Sequence, residues 1–121
     1  MRLFALRGAT TVAANDADQI LAATTELMRA IMDQNRITPD DVVSCIFTVT
    51  DDLDAAFPAT AARRMGFEKV PLLCAREIPV PGSLPLVIRV LLHFYAEPDH
   101  EARHVYLHGA RVLRTDLEAA Q

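Results

Sequence analysis

No tryptophan occurs in this 121-residue chain, and aromatic residues make up only 6% of it. The core is therefore expected to be aliphatic, and a base-stacking nucleic-acid surface is excluded as its main design. Positive charge is also scarce. Twelve Lys and Arg face sixteen Asp and Glu, for a formal net charge of −4, and Arg63-Arg64 is the single adjacent basic pair. That balance excludes a general polyanion binder. Cysteine is limited to Cys45 and Cys74, both within apolar runs. Two are too few for a secreted disulfide scaffold, so both are expected as reduced thiols in a cytoplasmic protein. No apolar run approaches the roughly 18 residues of a membrane span. No signal-peptide pattern opens the chain, because Arg7 interrupts a short apolar stretch and no cleavage region follows. Glycine-rich phosphate loops and a serine elbow are absent from the sequence.

What is present is a normal globular balance, 51% hydrophobic and 23% charged, in a length that suits a single domain over residues 1–121. Residues 2–7 alternate as a first strand. Asp16 and Gln19 form a helix start of the capping-box kind. Two stripes follow, Ile20, Leu27 and Ile31 beside Leu21, Met28 and Met32, at helical spacing to residue 34 or 35. Thr38-Pro39-Asp40-Asp41 marks a short helical turn. Residues 42–50 form a strand rich in β-branched residues, and Pro58 to Gly66 bound one or two helical turns. Residues 70–75 form a strand, and the proline-rich stretch 79–85 is an ordered loop. Residues 86–95 form a further strand. Residues 104–107 and 110–113 read as a hairpin around His108-Gly109, and the chain after Asp116 is expected to fray.

This order predicts an α+β fold: a mixed sheet with one long helix packed on one face. The helix would join parallel neighbouring strands by a right-handed crossover, and the last strands would form a meander. The other sheet face would need a cover, so a homo-oligomer is expected.

Chemistry concentrates in residues 86–95. Leu86, Ile88, Val90, Leu92 and Phe94 make one wholly apolar face, whereas Arg89 shares the other with Val87, Leu91, His93 and Tyr95. A guanidinium inside such a run must be compensated. Either a carboxylate of the same fold, with Glu77 the candidate, or an external anion does this. Arg7 is a second candidate for holding an anion. Strict alternation puts Cys74 and Glu77 on opposite faces, so a shared pocket requires the chain to bend between them. Cys74 alone reads as a small buried hydrophobe, or as a nucleophile if a histidine lies near. The acids Asp51, Asp52 and Asp54 read as a solvated loop, and His93, His100, His104 and His108 lack metal-ligand spacing.

Five stretches in order carry a resemblance: Arg7-Gly8-Ala9-Thr10-Thr11-Val12; Phe57-Pro58-Ala59 with Arg63; Val70-Pro71 to Cys74 and Glu77; Ile88-Arg89-Val90; and Arg103-His104-Val105-Tyr106-Leu107 with Val112-Leu113-Arg114. Together they resemble the monofunctional AroH-class chorismate mutases, the trimeric α/β-barrel class, over nearly the whole chain. The resemblance implies a homotrimeric pseudo-α/β-barrel with sites in clefts between subunits. It also implies rearrangement of chorismate to prephenate without cofactor, metal, nucleic-acid or membrane partner. It assigns Arg89 to the breaking ether bond, Glu77 and Cys74 to the ring hydroxyl, and Arg7 with Tyr106 to the side-chain carboxylate. Arg63 and Phe57 would line the mouth, with Leu73 and Leu113 as walls. Thr60 stands where the family often has a basic residue, so attraction of the dianion would rest more on Arg63. Two other classes compete: an imine or enamine deaminase-type trimer, and a non-catalytic sensor of an aromatic-pathway metabolite.

Overall fold

A computed structural model describes residues 1–113; Arg114 and the tail expected to fray lie outside the described residues. Five strands form one mixed sheet: β1 (Arg2–Thr11), β2 (Val42–Val49), β3 (Leu72–Arg76), β4 (Val87–Ala96) and β5 (Val105–Tyr106). The helices are α1 (Ala17–Asn35) and the short α2 (Pro58–Ala62), which continues as a π-helical turn over Arg63–Phe67. The Asp16 carboxylate accepts the Gln19 N–H and caps α1. The Gln19 side chain reaches back to the Ala14 N–H, two residues further than a simple capping box would take it.

The sheet order is β3-β2-β4-β1-β5. β4 is antiparallel to both β1 and β2, so these two run parallel to each other but are not neighbours. The crossover through α1 therefore spans β4, which corrects the expectation of adjacent parallel strands. The physical reason lies in β4 itself, whose wholly apolar face demands the central, most buried position. The expected meander is also absent, since β5 joins β1 in parallel. The expected hairpin is replaced: His108–Ala110 form a 3-10 turn, and residues 111–113 continue in helical conformation.

One face of the sheet carries Leu6, Cys45, Phe47, Val90, Leu92 and Phe94, all buried with Leu27, Met28 and Ile31 of α1. Gly8 permits this close approach. A Cβ there would stand 2.8 Å from Ile31 Cδ1, 3.2 Å from Val90 Cγ1 and 3.3 Å from Leu27 Cδ1. The opposite face holds Leu3, Leu73, Leu91 and Tyr95 with 48%, 60%, 36% and 47% of their surface exposed. Around Ala9 and Val87 this face is buried in a small cluster with Leu84, Tyr106, Ala110 and Leu113; nothing else in the described chain covers it.

The acidic loop after β2 is structural. Asp52 accepts the Leu86 N–H with both oxygens, at 3.0 and 3.3 Å, and also accepts the Thr50 hydroxyl. Thr50 Oγ1 in turn accepts the Val87 N–H. Together they hold Leu86 at φ +57°, a strained turn for a residue with a branched side chain, and so fix where β4 begins. Asp54 pairs with the Asn15 amide.

Candidate active site

Arg89 stands at the middle of the uncovered face. Across the sheet its register neighbours are Thr48 on β2 and Ala9 on β1, and Ala9 faces Tyr106 on β5. Arg7, two residues before Ala9, lies opposite Leu91 on the same face. A cavity of about 280 Å³ is lined by Arg7, Arg89 and Tyr106, with Thr48, Ile46 and Leu91 as its walls. Two cations, a phenol and Thr48 thus meet in a hollow whose other walls are apolar. Leu113 packs beside Tyr106 against Ala9 and Val87.

Arg89 is not the buried charge its run of neighbours implied. Its side chain is 42% exposed, and it is paired. Arg89 Nε donates to Glu77, 3.0 Å from Oε1 and 3.1 Å from Oε2. Glu77 Oε2 also accepts the Thr48 hydroxyl at 3.0 Å. Of the two readings of Arg89, the carboxylate of the same fold is the one observed. A carboxylate of the fold takes Nε, while among the described residues neither Nη has a hydrogen-bond partner.

Glu77 reaches this face because the strand alternation of β3 continues past its end. The Glu77 N–H still donates to Val49 O, at 2.9 Å. Alternation therefore persists through 74–77 without the bend a shared pocket would need. Cys74, opposite Phe47, packs against the helix-side core. It lines a second cavity of about 400 Å³ with Phe57, Val49, Leu53 and Arg76. Phe57 is 70% exposed. Arg63 is exposed at the start of the π-helical turn, and Leu73 sits on the uncovered face. Within one chain the candidates thus divide: Arg7, Glu77, Arg89 and Tyr106 come together, with Leu113 packed beside Tyr106, while Cys74 and Phe57 gather elsewhere.

The family model described as chorismate mutase type I matches residues 3–117. The chain belongs to the chorismate mutase type I family. A protein named chorismate mutase AroH from Thermus thermophilus is 51% identical over 118 residues, covering 96% of this chain and 97% of that one. One of the same name from Bacillus subtilis is 40% identical over 119 residues, covering 97% and 94%. The solved structure of a chorismate mutase from Clostridium thermocellum superposes with a TM-score of 0.87 at 52% identity, over 90% of this chain and 98% of that one.

This chorismate mutase type I chain also has two polar side chains beside the candidate residues to which sequence reasoning gave no place there. Thr48 is one, and only its register opposite Arg89 gives it away. His104 is the other. The Arg7 backbone N–H donates to His104 Nδ1 at 2.9 Å. A backbone N–H can only donate, so Nδ1 is unprotonated and the ring proton sits on Nε2. Burial, and then the Arg7 charge, lower the His104 pKa below its ordinary value of 6.5, which keeps the ring in this accepting form. Burial also pushes the Cys45 thiol up to about 12, so the thiol inside the core is inert.

Proposed function

We infer that the chain converts chorismate to prephenate by a [3,3] rearrangement, the branch step towards phenylalanine and tyrosine, and acts in the cytoplasm as a homotrimer. The observation that carries this reading is the Arg89 guanidinium, held through Nε by Glu77 and sharing one cavity with Arg7 and Tyr106. Chorismate carries two carboxylates and an enolpyruvyl ether. In the transition state the ether C–O bond lengthens and negative charge builds on its oxygen. A fixed Arg89 Nη donor aimed at that oxygen gains strength as the charge grows, so it favours the transition state over the ground state. Arg7 and Tyr106 bind the side-chain carboxylate. Two anchored ends hold the substrate in its compact, reactive conformer. No proton leaves and no covalent intermediate forms, so neither a nucleophile nor a general base is required.

Glu77 accepts the ring hydroxyl with the lone pairs that Arg89 and Thr48 leave unused. The remaining candidates, Cys74, Phe57, Arg63 and Leu73, come from the neighbouring subunit. Supporting this division are the uncovered apolar sheet face beside Arg89 and the separate hollow that holds Cys74 and Phe57. Three copies closing those faces together would form the pseudo-barrel, with one cleft at each contact.

The decisive test is the loss of chorismate absorbance with purified protein. Enzymes commonly accelerate reactions by ~10⁶ or more, so the expected trace is far faster than the blank. Decay at the uncatalysed rate would sink the proposal.

A further inference from the structure

We propose that Thr48 is a positioning residue for catalysis: its hydroxyl holds the Glu77 carboxylate on the Nε edge of Arg89 and so keeps both Nη groups available to substrate. The proposal rests on the reading of Arg89 given above.

The geometry behind it is a three-membered row on the uncovered face. Thr48 faces Arg89 on one side and Ala75 on the other. Glu77, two residues past Ala75, brings its side chain to the same face. Its carboxylate then meets two donors from two strands, the Arg89 Nε on β4 and the Thr48 hydroxyl on β2. Both carboxylate oxygens lie within 3.1 Å of the single Nε. That placement is unusual for an Arg–carboxylate pair. The stronger arrangement is two parallel bonds, each oxygen taking its own N–H. A side-on pair of that kind would bind Nε and one Nη together. The Thr48 bond pulls Oε2 towards β2 and away from Nη.

Without that pull, the flexible Glu77 side chain can turn into the bidentate arrangement. A chorismate molecule would then have to displace an internal carboxylate before Arg89 could serve the ether oxygen. Thr48 touches no reacting atom in this scheme; it acts through Glu77 on Arg89. Thr48 also lines the cavity, which is a reason for threonine at this position beyond sheet propensity.

The test compares Thr48→Val, which keeps the β-branched shape and removes the hydroxyl, with Thr48→Ser, which keeps the hydroxyl. Thr48→Val is expected to lower kcat about tenfold, more than it raises KM, with Thr48→Ser restoring most of the loss; one charge-assisted hydrogen bond sets that scale. In a Glu77→Ala background the same Thr48→Val change should cost less than about twofold, because the group it acts through is gone. A crystal structure of ligand-free Thr48→Val should show Glu77 bridging Nε and one Nη of Arg89. Should that variant not fold, Thr48→Ala carries the same comparison.

An unmoved Glu77 in that crystal structure overturns the proposal, whatever the protein does with chorismate. So does an equal loss in the Val and Ser variants, or a loss that persists in Glu77→Ala. An inactive wild-type protein refutes the chorismate reading alone, because the crystallographic comparison stands without turnover.

Discussion

Replacing Arg89 with lysine isolates what a guanidinium does that a bare positive charge does not. In the wild type the guanidinium faces Glu77 with Nε and keeps two Nη groups for other partners. Lysine concentrates its donors on one ammonium nitrogen at the end of a flexible stem. If that nitrogen stays at Glu77, no second nitrogen extends towards substrate. If it swings to the substrate, Glu77 keeps only the Thr48 hydroxyl. Either way the planar, prealigned donor at the ether oxygen is lost. Removing one preorganised donor of this kind costs roughly 10²–10³ in turnover, about 2.7–4 kcal/mol of transition-state stabilisation. The charge remains, so binding of a dianion suffers less, and KM should rise by less than about tenfold. Stability should barely change, because the Arg89 side chain is 42% exposed and, without substrate, the lysine ammonium can still pair with Glu77. An exposed substitution of this kind is worth within about 0.5 kcal/mol, roughly 2 °C in Tm at this chain length. Saturation kinetics of chorismate loss, paired with a circular-dichroism melt, read both quantities. A folded Arg89→Lys protein with kcat within about tenfold of wild type would refute the role assigned to Arg89.

Two further outcomes follow from the packing around Arg7. Gly8→Ala places a methyl 2.8 Å from Ile31 Cδ1 and 3.2 Å from Val90 Cγ1 inside the core; the Ile31 tip can rotate away in part, so a loss of about 1–3 kcal/mol is expected, roughly 4–12 °C in a thermal melt, and an unchanged Tm would show that α1 is not held this close. His104 has a lowered pKa in the fold, so the unfolded chain binds its proton first as pH falls; the contribution of His104 is full above its ordinary 6.5 and is lost as pH drops from there through the folded value. Wild type should therefore lose stability over that window relative to His104→Asn, whose amide oxygen can take the Arg7 N–H without titrating, and parallel melting curves against pH would contradict the bond.

Local signals in the sequence were read most faithfully where one element suffices to explain them. The two stripes of α1 and its Asp16 cap depend on residues within one helix, and the two faces of β4 depend on simple alternation. What failed depends on partners distant in sequence. Gly109 sits between two short apolar runs and looks like a hairpin turn. In the fold its N–H donates to Thr11 Oγ1, and a Cβ there would stand 2.9 Å from that oxygen. The glycine serves close packing on β1 instead. The insertion of β4 between β1 and β2 was equally invisible, because periodicity describes a strand and not its neighbours. At the site, the alternation that separated Cys74 from Glu77 was legible, and it persists. Arg89 was harder: an apolar run implies burial, but burial needs cover on both faces, and among the described residues this face is covered only around Ala9 and Val87. Thr48 carries no signal of its own, and His104 stands out only as one of four scattered histidines, because a hydroxyl and an imidazole gain meaning only from the register that sets them beside Glu77 and Arg7.

The central place of β4 has a kinetic consequence. It pairs Arg2 with Ala96, and β5 pairs Gly8 with Val105, so the sheet is held by loop closures that span most of the chain. Such non-local pairing makes folding slow compared with helical proteins of similar size. A nascent chain that has not yet exposed residues 87–96 to solution offers β1 and β2 no common neighbour and α1 no continuous surface to cover. The cavity walls come from β1, β2, β4 and β5, so no half-built intermediate carries half a pocket. During refolding, the hollow around Arg89 should therefore appear together with the core, and not ahead of it.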